Sequence, residues 1–373
     1  MVTNMLPDSK ERLHQIALSF VPGIGPKRGR ALLSHFKTAT AIFQASARDF
    51  ARVEGLHDAN FKAFRDKDML LRAEEELAFC EKHGITTLFF TDAVFPKRFM
   101  NCEDAPLLLY YKGNADLNTK KVVAVIGTRK NTEYGQRITE EIIAGLEGVK
   151  DIIVVSGLAL GIDTIAHKTS LKYQIPTVGV VGHSLDRIYP FSNKQLANDM
   201  LAEGGLLSEF PSGTGPERQN FPVRNRVVAG MSDVTVIVES EVKGGAMITA
   251  YVAHSYGRDV AAVPGRVYDS RSGGPNLLIK RNIAALVQSG EDLLELMNWD
   301  KDHIKKTTQQ QLFQDLLPEE QQIIDLLREK DSLHTDDLQL ATGLSSSRLA
   351  SILLQLEMRD LIRTLPGKCY RIN

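Results

Sequence analysis

The chain has 373 residues, 43% of them hydrophobic and 24% charged, which gives room for two or three globular domains. Its formal net charge of −1 excludes a globally basic nucleic-acid binder, so any nucleic-acid surface must come from local clustering of cations. Three scattered cysteines, no basic-then-apolar leader and no apolar run of about 20 residues predict a cytoplasmic protein without disulfides, metal site or membrane segment.

Residues 1–75 are predicted to form a helical module of the helix-hairpin-helix (SAM-like) type. Apolar residues recur at helical spacing on both sides of a glycine-rich turn at 21–26, and a fainter copy of this turn lies at 53–56. Glycines let the backbone turn tightly and expose its amides, and cations begin the second helix. A second, separate DNA contact is therefore expected at Gly23, Gly25, Lys27 and Arg28. The alternative is a protein–protein module with a solvated basic turn.

Residues 76–300 are predicted to form an α/β domain with a Rossmann-like, doubly wound parallel sheet. Continuous apolar strands alternate with helical stretches, which is the pattern of a parallel sheet covered on both faces. The strands are expected at 121–127, 152–155, 177–181, 206–209, 234–238 and 260–263. Ligands of such sheets bind beyond the carboxyl ends of the strands, so the loops that follow the strands are the candidate site.

Two of these loops combine glycines with a cation. They contribute the phosphate-binding candidates Gly127, Thr128, Arg129, Lys243, Gly244 and Gly245. Glycine permits close approach of the backbone, and the second loop leads into a helix N-terminus whose amides form an anion cradle. Neither loop has the G-x-G-x-x-G spacing of a dinucleotide site, and no P-loop motif for ATP hydrolysis is present. No cofactor is expected.

The segment 221–226 places an aromatic ring and two guanidinium groups at the predicted start of a helix. Arg224 and Arg226 offer forked donors that match phosphate, Asn225 adds an amide, and Phe221 offers a flat face for a base. The alternative is an arginine pair that neutralises carboxylates at the sheet edge. Taken with the two glycine loops, these residues make more phosphate sites than one small nucleotide needs, and so predict a polynucleotide ligand.

Two further loops carry residue types that are used in catalysis, but both are interpreted as structural. Asp163 is expected to cap a helix, or alternatively to orient an arginine, and His167 is expected to be packed rather than to act as a base. The serine, histidine and aspartate at 183–186 are neighbours in one loop, and therefore cannot form a hydrolase triad. No catalytic residue is predicted.

The C-terminal part is predicted to be a linker at 301–317 and a winged-helix domain at 318–373. Three helical stretches are followed by a β-hairpin around a Pro-Gly turn. The third helix of a winged helix usually reads the major groove. Acidic residues outnumber basic ones in this module, so that a protein-interaction role is favoured over DNA binding.

The motifs of the α/β domain together resemble the DNA-processing protein A (DprA, Smf) family over about residues 75–290. Six segments occur in the order seen in that family, at 125–129, 156–167, 185–190, 208–211, 221–226 and 263–265. Two positions depart from the usual pattern. His183 and Ser184 stand where a glycine-rich turn is common, and Gly245 and Ala246 stand where a serine-containing segment is common.

The resemblance implies a recombination mediator of natural transformation and no catalytic activity. Members of the family bind and protect single-stranded DNA, help to load a RecA-type recombinase on it, and dimerise through the Rossmann-like domain. The DNA contacts that the resemblance implies are Arg129, Phe221, Arg224, Arg226 and Lys243.

Two other functions stay open at this point. The first is a Rossmann-like enzyme of the nucleoside-monophosphate phosphoribohydrolase type, although the P-G-G-x-G-T-x-x-E signature of that group has no counterpart at 243–249. The second is an adaptor that acts through its two helical modules, with DNA binding incidental.

Overall fold

The computed structural model describes residues 9–53, 58–299, 317–329, 332–359, 361–365 and 369–372. The chain divides into two compact units, which comprise residues 1–302 and 303–373. None of the helices in the described ranges is long and apolar enough to cross a membrane. Most of the predicted linker at 301–317, and most of the predicted second hairpin turn at 53–56, lie outside the described residues.

The first unit opens with a bundle of helices, as predicted. They are α1 (Ser9–Phe20), α2 (Pro26–Phe36), α3 (Ala39–Gln44), α4 (Ala47–Phe50), α5 (Asp58–Ala63) and α6 (Lys67–His83). The Asp66 side chain caps the start of α6, and Gly84 ends it with a left-handed φ of 62°. Helix α6 thus continues through the boundary that was predicted between residues 75 and 76. The limits of the domains stay predictions.

Nine strands of the described residues form one sheet in the order β1-β2-β6-β5-β4-β3-β7-β8-β9. They are β1 (Thr86–Phe89), β2 (Leu108–Gly113), β3 (Lys121–Ile126), β4 (Ile152–Ser156), β5 (Thr177–Val181), β6 (Gly205–Ser208), β7 (Val234–Ile237), β8 (Asp259–Ala262) and β9 (Ala285–Leu286). Strands β3 to β9 are parallel, which confirms the predicted fold class. Strands β1, β2 and β9 were not predicted. β2 pairs antiparallel with β6, and β1 pairs antiparallel with β2, so neither of these two needs a crossover helix.

Helices cover both faces of this sheet. They are α7 (Glu133–Ala144), α8 (Ile162–Lys172), α9 (Lys194–Met200), α10 (Asn220–Met231), α11 (Gly245–Ser255), α12 (Gly273–Lys280) and α13 (Gly290–Leu296). Side chains of β3 alternate between two cores: Val122 packs with residues of α10 and α11, and Val123 packs with residues of α7 and α8. Because β4 and β7 lie on opposite sides of β3, the strand order reverses at β3, and ligands bind at such a reversal.

Helix α6 fastens the helical module to the loop that leads into α10. The carboxylate of Glu76 is fully buried and accepts the backbone N–H of Ser212 at 2.9 Å and the Ser212 hydroxyl at 2.5 Å. Arg72 donates to the same carboxylate at 2.7 Å and to the Ser212 carbonyl at 3.0 Å. The approach to α10 is therefore held by a residue of the N-terminal helices.

The second unit is a winged helix, as predicted. Its elements are α14 (Pro318–Glu329), β10 (Leu333–His334), α15 (Thr335–Thr342), α16 (Ser346–Met358), β11 (Ile362–Leu365) and β12 (Cys369–Ile372), and within the described residues its strands pair in the order β10-β12-β11. Ile323, Leu338, Leu349 and Leu356 form its core. The Pro-Gly tip of the predicted hairpin lies outside the described residues.

Candidate nucleic-acid interface

The loop after β3 is fixed by Glu239, a buried residue that follows β7. The Thr132 N–H donates to Oε2 of Glu239 at 2.9 Å and the Thr132 hydroxyl donates to Oε1. At the other end of the loop, the Thr128 N–H donates to the Glu239 carbonyl at 2.7 Å. Arg129 and Lys130, both exposed, lie between these two anchored points. The predicted phosphate loop is therefore a rigid turn that presents two cations.

Arg129 and Phe221 border a pocket beyond the carboxyl ends of β4 and β5. The guanidinium carbon of Arg129 lies 5.3 Å from the ring centroid of Phe221. The centroid of the Tyr189 ring lies 6.2 Å from that of Phe221, with an angle of 39° between the two ring planes. The pocket has an empty volume of about 390 Å³, its open mouth included, and its walls are glycines and apolar side chains with His183 and Arg224. A cation beside an aromatic face is suited to a phosphate and a base together.

Arg224 lies in the wall of this pocket, but it is buried and its donors are engaged within the protein, which disagrees with the phosphate contact that was predicted. Its Nη1 donates to the carbonyls of Gly157 and Val180, the latter at 2.6 Å, and its Nε donates to Oδ1 of Asn225 at 3.0 Å. Asp163, also buried, accepts the N–H of Gly157 at 3.1 Å. Burial raises the pKa of Asp163 and lowers the pKa of Arg224, and each charge opposes the effect of burial on the other. Arg224 and Asn225 thus support the site.

Arg226 is also engaged within the protein. It donates to the Asp104 carbonyl and to both carboxylate oxygens of Glu209, at 2.5 Å for Oε2. Burial raises the pKa of Glu209, and the guanidinium acts against that shift. The alternative interpretation, an arginine that neutralises a carboxylate at the sheet edge, therefore describes Arg226.

The predicted anion cradle lies at the start of α11, at the end of the loop that follows β7, the strand next to β3. Lys243 is exposed, and Gly244 and Gly245 form the N-cap and first residue of the helix. A Cβ placed on Gly245 would meet no atom within 4 Å, so the backbone there is open to a ligand. Arg218, exposed in the turn that leads into α10, adds a further cation that the sequence analysis did not select.

The basic turn of the N-terminal hairpin is exposed, and its two cations are engaged with groups of the protein itself. Lys27 pairs with Glu103 at 2.5 Å, and Arg28 donates to the Gly23 carbonyl at 2.8 Å. Gly25 precedes α2, and Gly29 of that helix packs against Leu107. The positive charge of Lys27 in the predicted second DNA contact is thus offset by Glu103, which lies in the segment that joins β1 to β2.

The remaining candidates are structural, as predicted, although Asp163 fits the alternative role beside an arginine and not the helix cap. His167 is fully buried with Nδ1 2.7 Å from the Thr177 hydroxyl, and burial lowers its pKa to about 3. The 183–186 loop is held by a hydrogen bond from Ser184 to Asp186. The capping role predicted for Asp163 is wrong, because Gly161 is the N-cap of α8 and Asp163 lies beside Arg224 instead.

His183, which was interpreted as part of a structural loop, and Tyr189 both line the pocket, and neither was among the predicted site residues. Both belong to the loop after β5. The rule that ligands bind at the carboxyl ends of strands could have selected them, because that loop ends at the same sheet edge as the loop of Arg129.

Three family models match the chain. Residues 86–298 match DNA recombination-mediator protein A, residues 308–368 match the DprA winged helix domain, and residues 16–62 match the SAM-like helix-hairpin-helix tandem. The first match alone spans more than half of the chain.

Relatives and solved structures agree with this assignment. DNA processing protein DprA of Bacillus subtilis is 37% identical over 59% of this chain and 73% of its own length, and protein Smf of Escherichia coli is 30% identical over 80% and 81%. The X-ray structure of Streptococcus pneumoniae DprA superposes with a TM-score of 0.62 at 31% identity, over 76% of this chain and 97% of that one. The Helicobacter pylori protein, described with a unique single-stranded DNA binding mode, gives 0.52 at 31% identity over 58% and 97%. The chain belongs to the DNA recombination-mediator protein A family.

Proposed function

We propose that this protein binds single-stranded DNA along the carboxyl edge of its sheet, in the cytoplasm, and helps to load a RecA-type recombinase on it during natural transformation. The observation that carries the proposal is the Arg129–Phe221 pair at the mouth of the pocket. The guanidinium supplies forked donors for phosphate, and stacking of a base on an aromatic ring is worth about 1–3 kcal/mol whatever the base. Binding is therefore expected to be sequence-independent. The Helicobacter pylori relative supports the same class of ligand.

The arrangement of cations favours a strand over a single nucleotide. Arg129 follows β3, Lys243 follows β7 and Arg218 precedes α10, so exposed positive charge is spread along one edge of the sheet. Each phosphate that these residues neutralise releases counterions, which makes the affinity fall with salt. A polynucleotide backbone can engage all three.

Catalysis on nucleotides is not part of the proposal. A phosphoribohydrolase of this fold needs a glutamate in its glycine loop, and residues 243–249 contain none. Glu239 is held by Thr132 and does not line the pocket. We expect no release of base from nucleoside monophosphates, and measurable release would favour the enzyme instead.

We also infer a homodimer through the Rossmann-like unit. Ile248 and Tyr251 of α11 and Leu286 of β9 are exposed apolar side chains on the unit, and such surface favours association. A dimer brings two pockets to one strand and raises their effective concentration. Ile248→Asp is expected to shift sedimentation toward the monomer and weaken binding to long strands more than to short ones. An unchanged sedimentation profile would speak against this face.

The winged helix is assigned to protein contact. Leu354 and Met358, one turn apart on α16, are exposed, while Arg348 of the same helix is paired with Glu319. This helix offers little positive charge to a DNA groove. Deletion of residues 318–373 is expected to abolish recruitment of the recombinase and leave the affinity for single strands intact. Lost DNA affinity in that deletion would place a DNA contact in the winged helix.

The test of the pocket is fluorescence anisotropy with labelled single- and double-stranded oligonucleotides at two salt concentrations. Arg129→Gln and Phe221→Ala are each expected to weaken single-strand binding about tenfold, and Arg129→Gln also reduces the salt slope by about one. Arg137→Gln is the matched control, because it removes the same charge from an exposed position on α7. Unchanged affinity in both pocket variants would overturn the proposal.

A further inference from the structure

A second cation–aromatic pair lies beside the pocket, on the loop that supplies Tyr189. Phe191 is 76% exposed, which is unusual for so large an apolar ring, and the Nζ of Lys194 lies 5.5 Å from its centroid. Phe191 belongs to none of the hydrophobic clusters in the described part of the chain. Packing within the first unit therefore does not explain this ring.

The segment that carries Phe191 is fixed against the pocket rather than loosely attached. Asn193 is buried, and its Nδ2 donates to the Leu158 carbonyl at 2.9 Å and to the Thr164 hydroxyl at 2.8 Å. Leu158 belongs to the loop that forms one wall of the pocket, between Gly157 and Ala159. The exposed ring is thus held at a set distance from the site, which a binding surface requires.

The aromatic residues connect the two pairs. Phe221 lies next to Tyr189, which is 45% exposed, and Tyr189 is two residues from Phe191. Two residues of chain span at most about 7 Å, so the Phe191 backbone follows directly after the Tyr189 position. Arg129 lies beside the ring of Phe221 and Lys194 lies beside the ring of Phe191, so a cation accompanies the aromatic residue of each pair.

We propose that Phe191 and Lys194 form a second stacking platform for single-stranded DNA, continuous with the Arg129–Phe221 pocket through Tyr189. The inference rests on the proposed function and extends the bound strand past the pocket, across the loop after β5. An exposed aromatic face accepts any base, and the neighbouring ammonium group accepts a phosphate, so the platform lengthens the site without adding sequence preference.

The test uses the full-length protein and a length series of labelled oligothymidylates in anisotropy titrations. Phe191→Ala is expected to weaken binding of long strands about tenfold and to leave strands that only fill the pocket unchanged. Lys194→Gln is expected to show a smaller loss with the same length dependence, and a lower salt slope. Arg129→Gln weakens binding at every length, because all strands use the pocket.

The matched control is Lys172→Gln. Lys172 also lies over an aromatic ring, 5.3 Å from the Tyr173 centroid, and it is exposed at the end of α8, at the opposite edge of the sheet. This substitution removes the same charge from the same kind of pair, at a position away from the pocket. The Lys172→Gln protein is therefore expected to bind strands of every length like wild type.

The outcomes separate the platform from the proposed function. Wild-type affinity of Phe191→Ala at every length, together with loss in Arg129→Gln, overturns the platform and leaves the pocket. If neither variant changes affinity, both proposals fail. A Phe191→Ala protein that binds all strands normally but sediments as a monomer overturns the platform too, since the ring would then contact a second copy of the chain.

Discussion

Arg224 and Asp163 bind the two polar backbone groups of the same residue, Gly157. The Arg224 guanidinium donates to the Gly157 carbonyl, and the Asp163 carboxylate accepts the Gly157 N–H. Both charges are buried, and each offsets the cost of removing the other from water. The wall of the pocket is therefore built on an internal pair of opposite charges.

We expect Arg224→Gln to lower stability rather than to remove a DNA contact. Asp163 would be left as an uncompensated buried charge, at a cost of about 3–5 kcal/mol in the free energy of unfolding. Urea denaturation measures this loss, and the double variant Arg224→Gln, Asp163→Asn should regain part of it. A single variant as stable as wild type that has lost DNA affinity would instead make Arg224 a phosphate contact.

Gly161→Ala is expected to weaken single-strand binding. Gly161 has a φ of 79°, and a Cβ there would overlap the Thr128 carbonyl and the Arg129 backbone, so the loop that carries Arg129 must move. The strain costs on the order of 1–3 kcal/mol. Gly257→Ala is the control, since Gly257 also has a positive φ, of 67°, but has open space around its Cβ position. Equal affinities of the two variants for single strands would show that the position of the Arg129 loop does not affect DNA binding.

Stability is expected to fall as the pH drops below about 6.5, in part because of His167. Burial and Arg224 lower its pKa to about 3, from the ordinary value of 6.5. Between these two pKa values the unfolded chain binds a proton that the folded protein does not. The free energy of unfolding therefore rises with pH through this window, and the contribution of His167 is complete above about pH 6.5. Urea unfolding at pH 5 and pH 7.5 measures the difference.

The control for this pH dependence compares two histidine substitutions. His167→Gln should reduce the difference in the free energy of unfolding between pH 5 and pH 7.5, whatever its own effect on stability. His254→Gln, at an exposed position on α11, should leave that difference as in wild type. An unaltered pH dependence in His167→Gln would assign it to other groups.

Neutralising the N-terminal hairpin is expected to have little effect on DNA binding. Lys27 is already paired with Glu103 in an exposed ion pair, so Lys27→Gln should keep single-strand affinity within about twofold of wild type. Glu103→Gln frees the lysine and provides the reciprocal comparison. A large loss in Lys27→Gln, measured by anisotropy, would restore the hairpin as a second contact.

The parts of the fold with a repeating local pattern could be predicted from the sequence. Apolar runs between helical stretches located β3 to β8, and the winged helix followed from three helices and a hairpin. Strands β1 and β2 were missed because antiparallel addition at a sheet edge leaves no crossover helix in the sequence. Local pattern therefore sufficed for the central parallel strands and for the winged helix, but not for the outer strands β1, β2 and β9.

The candidate site could be predicted as a group of loops at one edge of the sheet, but the surroundings of each side chain could not. Arg129 and Phe221 come together as expected, because each lies beyond a strand end. Arg224 and Arg226 look equivalent in sequence, yet they are roughly 200° apart around α10. Their partners, such as Gly157 and Glu209, are distant in the chain, so nothing local shows which groups each arginine binds or how deeply it is buried.

The contact between Glu76 and Ser212 affects how truncated proteins should be interpreted. A fragment that begins at residue 76 starts inside α6, loses Arg72 and leaves Glu76 at a frayed end, where it cannot hold the loop before Phe221. Weak DNA binding by such a fragment would then reflect the loosened loop that leads into α10. It would be misread as evidence that the N-terminal hairpin contacts DNA. A fragment that begins at Asp66 removes α1 to α5 but keeps the cap of α6 and the contacts of Arg72 and Glu76 with Ser212.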